Sequence, residues 1–577
     1  MTTKRRSDGM LTLSADYIME ALTVFYVFVM LCIYPLYFRN RYFDMGESKF
    51  LFFKWFSMVG FGVITAAWIF RIFAHVFTGD KNEVSFEKAV KGAYISDYLV
   101  IAYLLVTWVS FLLTDYTEMA VWGFEGWNMG FYSQVFFVLI YFFVSRFWKK
   151  NEFTLIAALA VAVFTFQFTI LQRFGFDPMG MYVGVATSSL EKFVSTLGQT
   201  SWFSSYAVLM VPFGFYYYIY DKRSTAKALA LCFVSLSFGM LVTTHSDSAY
   251  IAFAFILLVF FCFAMRSNEK MFRFLEAFIM GLFSMRFVGW MNAGFPERVQ
   301  KTMIEEEKLT KIATSSTPML ILLIASIIIY SLFRFVLCKD RPWEKKEEKP
   351  QLRKPVQTGN KVKSKQPAAA VPEQTETEET KGFDISKYAK PVTIALIILL
   401  FAGIACIVLC VVLVTNGTIS SGPLAKVDYF HYGDGWGNHR GFNWRMAIRA
   451  FKNSSLKDLL VGVGPDCFAG AMNKYCQPDV SIYWSGLTLA CAHNEFFNML
   501  VTEGFLGVMA YLGIFISCFV RFCKNASKDE LLIPLAAAIP AYIGHNFFCY
   551  QQCICTPVIF ILMAMGMRIV FTSGKRE

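Results

Sequence analysis

The sequence predicts an all-α membrane protein that crosses the bilayer about 14 times, with about 12 crossings as the lower limit. Hydrophobic residues make up 56% of the 577 positions, and apolar runs long enough to span a bilayer recur from end to end. The 62 Phe, 27 Tyr and 12 Trp residues fit lipid-facing surfaces and interfacial belts. The net charge of +12 is expected from basic cytoplasmic loops, so no nucleic-acid partner is indicated.

The apolar runs set the expected spans in chain order. Each is about as long as a helix must be to cross ~30 Å of hydrocarbon. With the N-terminus inside, most short loops that carry Lys or Arg lie in the cytoplasm. The expected spans are 17–38, 51–74, 95–114, 130–147, 153–172, 203–220, 228–244, 249–265, 271–293, 317–337, 391–416, 497–520, 531–549 and 555–572.

Three regions follow from this pattern. Residues 1–338 form an N-terminal transmembrane bundle. Residues 339–390 are rich in Lys, Glu, Pro, Gln and Thr and have little to build a core, so we expect a disordered cytoplasmic linker. Residues 391–577 form a C-terminal transmembrane segment with a large external loop, 417–496, before the third-last span. The aromatic residues of this loop indicate that it folds against the membrane surface.

The external loop begins with a cluster of arginines in the run GNHRGFNWRMAIRAF. On a helix, Arg440 and Trp444 share one face, because they are four residues apart. Arg445 and Arg449 follow on the same helix. Arginine suits phosphate because its planar guanidinium donates two parallel hydrogen bonds and stays charged. The alternative for each one is contact with lipid headgroups; the cluster as a whole favours a functional role.

His493 and Asn494 stand where the loop enters the next span, in AHNEFFNMLVTEGFLGV. A histidine accepts a proton near neutral pH, and Asn494 is placed to orient its ring or a sugar. The alternative is an ordinary polar helix end. Glu503 lies further along the span, where an ionisable group usually pairs or lines a cavity. The neighbouring glycines are equally suited to close packing.

Two other polar segments lie at expected helix ends, SerThrLeuGlyGlnThrSerTrp from position 195 and HisSerAspSer from position 245. Each by itself predicts no more than a helix cap, although Asp247 suits either a sugar hydroxyl or an arginine. His75, His431 and His545 have a context that indicates packing or surface roles. The cysteines show no CxxC pair, so we predict no metal site, and a Cys467–Cys476 disulfide stays open.

These segments together resemble the O-antigen ligase and polymerase family of bacterial membrane glycosyltransferases. HRGFNWRMAIRAF resembles the family's Arg-then-Trp helix, LLVGVGPDCF its Gly-x-Gly-Pro turn, and AHNEFFNMLVTEGFLGV its His-Asn helix with Glu-Gly further on. Upstream, TLGQTSWFSSYAVLMVP resembles the Gly-Asn-x-Asn-x-Phe segment. The resemblance covers about residues 120–265 and 415–510.

The resemblance implies an activity on the outer side of the bacterial cytoplasmic membrane. A glycan on undecaprenyl pyrophosphate would be transferred to a hydroxyl of a glycan, lipid or protein acceptor, without cofactor or obligatory metal. It implies that Arg440 grips the pyrophosphate and His493 activates the acceptor. The further expected substrate contacts are Arg445, Asn494, Trp444, Glu503, Asp247 and Arg173.

The chain departs from the family pattern at Ser246-Asp247-Ser248, where a Ser-Arg-Gly is usual. Arg173, Arg445 or Arg286 is a candidate for the missing arginine. Ligase, polymerase and protein O-glycosylase are left open, because the acceptor is recognised by loops. A transporter or flippase for lipid-linked glycans is the alternative function, and a scaffold that uses the linker is a third. The clustering of charge in one external loop favours an enzyme over a transporter.

Overall fold

A computed structural model of the protein describes residues 2–80, 84–299, 308–340 and 383–573. Within these ranges the chain is almost entirely helical, and its one sheet is an antiparallel pair, β1 (Phe193–Val194) and β2 (Gly198–Gln199). The α-helices are α1 (Thr2–Phe28), α2 (Met45–Phe77), α3 (Phe86–Lys91), α4 (Ile95–Leu112), α5 (Thr117–Trp122), α6 (Phe131–Phe147), α7 (Glu152–Arg173), α8 (Thr200–Tyr220), α9 (Ser224–Leu241), α10 (Asp247–Ala264), α11 (Asn268–Gly294), α12 (Lys308–Ser315), α13 (Thr317–Ser331), α14 (Ala389–Thr415), α15 (Trp436–Asn453), α16 (Leu456–Val461), α17 (Phe468–Tyr475), α18 (Gln477–Tyr483), α19 (Glu495–Thr502), α20 (Gly504–Asn525), α21 (Leu532–Asn546) and α22 (Thr556–Ser573).

Eleven helices of the described chain are long and apolar enough to cross a membrane. The all-α, multi-pass membrane architecture expected from the sequence is thereby confirmed. Of the other expected spans, α6 is apolar but shorter, and α21 has only 15 residues. The remaining one, α8, contains Pro212 and is rich in Ser and Tyr. The number of 14 crossings stays a prediction.

The helices α8 and α21 form the centre of the bundle. Almost every residue of each is buried, and α21 packs against α8, α10, α20 and α22. Small residues allow this close packing, as at Gly544, where an added Cβ would lie 2.7 Å from the ring of Phe255. Because protein surrounds both helices, they can carry polar side chains that lipid-facing helices cannot.

At the periphery, α14 is the most exposed of the long helices, with only 6% of its most apolar window buried. It is preceded by a 3₁₀ turn, Ile385–Tyr388, that is anchored by the side chain of Asn268. The helix thus starts one residue before the expected end of the linker. Residues 341–382 of that linker lie outside the described residues.

The polar segment between α14 and α19 is folded, as its aromatic content predicts, and contains the 18-residue helix α15 and the short helices α16 to α18. It has its own hydrophobic core, which includes Phe442, Met446 and Phe468. Cys467 and Cys476 are free thiols in this core. Their sulfurs approach different backbone carbonyls, those of Pro465 and Met446, so the structure contains no disulfide between them.

Candidate functional site

Arg440 begins the regular part of α15. The preceding residues Gly437, Asn438 and His439 have left-handed φ values of 60°, 57° and 67°, so the chain turns sharply before the helix starts. The guanidinium donates from Nε to the Phe548 carbonyl at 3.1 Å and from Nη1 to the Gly437 carbonyl at 2.7 Å. In the part of the chain that the structure describes, Arg440 forms no salt bridge with a carboxylate. Its remaining N–H donors are therefore available to an anion.

The other arginines of α15 are paired. Arg445 donates to both carboxylate oxygens of Asp434, at 2.9 and 2.7 Å, and Arg449 donates to Asp479 at 2.7 Å. The pairing with Asp434 raises the pKa of Arg445. The carboxylates offset the charges of Arg445 and Arg449, so these arginines attract an anion less strongly than an unpaired arginine does. Of the arginines in the cluster, Arg440 alone offers a charge with no such competitor among the described residues.

Trp444 lies below Arg440, one turn further along α15. Its side chain is 8% exposed and its ring contacts Phe497, Phe547, Phe548 and Trp436. This placement supports packing beneath the arginine rather than the direct substrate contact that the sequence predicted. The shared face of Arg440 and Trp444 is as expected, since both contact Phe548.

His493 lies in the turn before α19, with a left-handed φ of 50°. Its ring packs edge-on against Tyr550, with centroids 5.3 Å apart, and against Trp127 at 6.2 Å. Burial, and then the charge of Arg440, lower the pKa of His493 to about 4. The imidazole is therefore neutral at physiological pH. Arg440 binds the Phe548 carbonyl and the ring of His493 packs on Tyr550, so both groups contact the segment that follows α21.

Asn494 is the N-cap of α19, and its Oδ1 accepts from the N–H groups of Phe496 and Phe497. Its Nδ2 donates to the Phe547 carbonyl at 2.8 Å. The carbonyl oxygen and one N–H of the amide are thus used within the protein. The side chain of Asn494 anchors the backbone next to His493 to the turn after α21, and a contact with a sugar stays a prediction.

The turn between α21 and α22, residues 547–552, connects these groups. Consecutive carbonyls, of Phe547 and Phe548, hold Asn494 and Arg440, and Tyr550 supports the ring of His493. The sequence placed 547–549 at the end of a membrane span and gave them no role. A polar pair, His545-Asn546, inside an apolar run is the signal that marks this turn.

The segment that resembles the family's Gly-Asn-x-Asn-x-Phe also meets this turn. The Tyr550 hydroxyl donates to Gln199 Oε1 at 3.0 Å and accepts from Trp202 Nε1 at 2.9 Å. Gln199 ends the β1–β2 hairpin and Trp202 lies in the first turn of α8. The structure therefore brings together three of the sequence segments that are far apart in the chain.

The Gly-Val-Gly-Pro turn packs backbone to backbone on the end of α19. The N–H of Val463 donates to the Val501 carbonyl, and a Cβ on Gly462, whose φ is +80°, would lie 2.2 Å from the Thr502 carbonyl carbon. On the other side, a Cβ on Gly504, with φ +69°, would lie 2.5 Å from the Leu460 carbonyl carbon. The glycines of both motifs are thus required for close packing.

Asp466 follows that turn and was not singled out by the sequence. Its Oδ2 accepts from the N–H groups of Phe124 and Met129, each at 2.9 Å. This bond holds the loop that carries Trp127 against the site. Burial raises the pKa of Asp466 to about 7.

A small polar cavity of about 20 Å³ lies beside the site, which is room for a water molecule. Asp466, Glu495 and Glu503 are among its lining residues. Glu503 is buried, and its Oε2 has no hydrogen-bond partner among the described residues. The expected span 497–520 is interrupted at this residue, because α19 ends at Thr502 and the membrane-spanning helix begins at Gly504. Glu503 therefore lines the cavity from the junction of two helices and not from inside a span.

Arg173 and Asp247 lie in a second polar cluster. Arg173 donates from Nη1 to His245 Nε2 at 3.0 Å, and burial followed by that charge lowers the pKa of His245 to about 4. Asp247 Oδ2 accepts from the Tyr429 hydroxyl at 3.1 Å. The partners of Arg173 and Asp247 given above, His245 and Tyr429, differ from the Phe548 and Tyr550 contacts of Arg440 and His493.

Arg286, the third candidate for the missing arginine, donates to the Thr314 carbonyl. It lies on α11, outside both clusters. Of the three replacements considered, Arg445 is the one on the same helix as Arg440.

A comparison with known protein families finds none that matches this chain, and a comparison with curated protein sequences finds no significant relative. The class of protein that the structure defines is a multi-pass α-helical membrane protein.

Proposed function

We propose that this protein is a glycosyltransferase of the bacterial envelope. It would transfer an oligosaccharide from undecaprenyl pyrophosphate to an acceptor hydroxyl on the outer side of the cytoplasmic membrane. The observation that carries the proposal is Arg440, a cation with no carboxylate partner in the described chain, held by two backbone carbonyls beside a neutral histidine. Such a pair suits a reaction in which an anion leaves and a hydroxyl loses its proton.

At the anomeric carbon, the proposed step forms one bond and breaks one. The acceptor oxygen attacks the anomeric carbon and gives its proton to His493, while the bond from that carbon to the pyrophosphate oxygen breaks. The departing pyrophosphate gains negative charge, which Arg440 stabilises. Because backbone carbonyls already orient the guanidinium, it needs little rearrangement as the charge develops.

Donor binding would also activate the base. In the free protein the positive charge of Arg440 helps to lower the pKa of His493, which makes the imidazole a weak base. The negative pyrophosphate next to Arg440 offsets that charge, so the pKa of His493 rises when the donor is bound. The site thus becomes more basic when a substrate is present to use it.

Transport of a lipid-linked glycan is the second candidate function. The buried carboxylates Glu495 and Glu503 beside a polar cavity favour it, since ionisable groups inside a membrane protein often mark a transport path. An enzyme is favoured because Arg440 and His493, the two groups that transfer needs, both contact the turn after α21.

The test is glycan transfer by purified protein from a synthetic polyprenyl-pyrophosphate oligosaccharide to a panel of acceptors. Arg440→Gln and His493→Gln should each reduce kcat by roughly 10²-fold or more, since each removes a group that acts on the transition state. Arg449→Gln is the matched control, because it removes a paired arginine from the same helix. Its activity should stay within a few-fold of wild type.

Normal transfer by well-folded Arg440→Gln and His493→Gln variants would contradict the proposed roles. Wild-type protein that transfers no glycan but moves the lipid-linked donor across proteoliposome membranes would establish the transport alternative instead.

A further inference from the structure

A series of buried, hydrogen-bonded side chains runs through the centre of the bundle to the turn after α21. His545 Nε2 is 2.8 Å from the Ser204 hydroxyl, and His545 Nδ1 is 2.9 Å from Asn546 Oδ1. Asn546 Nδ2 in turn donates to Glu495, the first residue of α19. The series therefore links α8, α21 and α19, and its members Ser204, His545 and Asn546 have no exposed surface.

The direction of each bond follows from the amide of Asn546. Its Nδ2 donates to Glu495 and to the Tyr550 carbonyl at 3.4 Å, so its Oδ1 is the acceptor. His545 must then carry its hydrogen on Nδ1. In the neutral imidazole Nε2 then has no hydrogen and accepts from the Ser204 hydroxyl at 2.8 Å, a shorter contact than the one from that hydroxyl to the Ser201 carbonyl at 3.2 Å.

Asn546 stands at the point where this series meets the turn. It is the last residue of α21, and the two residues that follow provide the carbonyls that hold Asn494 and Arg440. Through the Tyr550 carbonyl, the same amide also reaches the residue that supports His493. The orientation of the Asn546 amide thus affects both the start of the turn, at Phe547, and Tyr550 within it.

We propose that His545 is a positioning residue. Its Nδ1–H orients the amide of Asn546, and Asn546 fixes the turn that sets Arg440 and His493 relative to each other. The catalytic consequence rests on the proposed glycosyl transfer, whereas the positioning of the turn does not. The sequence assigned His545 only a packing or surface role.

Loss of the Nδ1 donor would leave Asn546 Oδ1 buried without a partner, which favours rotation of the amide. Rotation exchanges its donor and acceptor, so it breaks the bonds to Glu495 and to Tyr550 as well. A displacement of the turn by about 1 Å is enough to reduce a rate by roughly 10²-fold, because the reacting groups lose their alignment.

Two conservative variants separate the two hydrogen bonds of His545, the one to Ser204 and the one to Asn546. An asparagine at position 545 places an amide near the site of Nδ1 and can still donate to Asn546, while it loses Ser204. A glutamine places its amide near the site of Nε2 and can still bind Ser204, while it loses Asn546. We expect His545→Asn to keep kcat within about tenfold of wild type and His545→Gln to lose roughly 10²-fold.

Cys549 provides a second measurement that does not depend on activity. It lies in the turn and is buried, so its rate of alkylation by N-ethylmaleimide, followed by mass spectrometry, reports opening of the turn. His545→Gln should label at least several-fold faster than wild type, and His545→Asn should label at the wild-type rate. Ser204→Ala, which cuts the series on the far side of His545, should also stay protected.

Equal labelling of Cys549 in His545→Asn and His545→Gln would overturn the proposal, because a histidine that merely packs does not distinguish them. If the wild type shows no transfer, the proposed function fails, and the labelling still decides whether His545 positions the turn. Faster labelling of His545→Gln with unchanged kcat would overturn the catalytic consequence alone.

Discussion

The pKa of His493 leads to a specific pH dependence of transfer. The perturbation is a change from about pH 7.5 to about pH 5.5 at a donor concentration far below KM, where the rate reports kcat/KM and hence the free protein. A histidine with the ordinary pKa of about 6.5 would be only about 9% neutral at pH 5.5. With a pKa of about 4, His493 would stay about 97% neutral.

We therefore expect kcat/KM to change less than about twofold over this range, where an ordinary histidine would give roughly a tenfold fall. The measurement is the initial rate of glycan transfer at each pH, corrected for the background of His493→Gln. At saturating donor, kcat should fall at a higher pH than kcat/KM, because bound pyrophosphate offsets the charge of Arg440.

Arg440→Gln tests the cause of the shift. Burial is the larger cause, so removal of the arginine should move the midpoint of kcat/KM upward while leaving it below about 6.5. A wild-type kcat/KM that titrates near pH 6.5 would refute the reasoning, since it would show a solvated histidine without a nearby cation.

Three further predictions concern stability. Asp466 has a raised pKa, so the stability it contributes is lost as pH rises through about 7. The Tm of Asp466→Asn should therefore rise relative to the Tm of the wild type between pH 5 and pH 8. A Tm difference that stays constant over this range would count against the raised pKa. His245 and His493 have lowered pKa values, so the stability they contribute is present above about pH 6.5 and lost as pH falls through about 4. Thermal melts should show a Tm that falls over that interval, and the fall should be less steep in His245→Gln. A Tm curve of His245→Gln that runs parallel to the wild-type curve would contradict this. Gly462→Ala should lose at least about 2 kcal/mol of stability or fail to fold, because its Cβ would meet the Thr502 backbone. If this variant melts like the wild type, the turn can move to accept the Cβ.

The arginine cluster shows where sequence reasoning stops. The spacing of Arg440 and Trp444 predicts a shared helix face, which the structure has. Spacing does not show that Arg445 and Arg449 are each opposed by an aspartate from another part of the loop. Within this cluster, the one arginine that has no carboxylate partner among the described residues is recognised only when all its neighbours in space are known.

The turn after α21 is the other example. Its carbonyls are backbone groups, which every residue has, so no residue type marks them in advance. His545 has two side-chain hydrogen bonds in the centre of the bundle, but its partners lie on α8 and at its own helix end. Only their packing shows that a histidine in an apolar run is part of a connected network.

By itself the sequence determined that the chain is an α-helical membrane protein with a folded polar segment near its end, since apolar length and aromatic content are local properties of a chain. It also marked His493, Arg440 and the glycines as unusual. Tertiary structure alone decided which arginine lacks a carboxylate, that His493 is neutral beside it, and that one turn holds both. Those properties depend on burial and on charges brought together from distant segments, which no local pattern encodes.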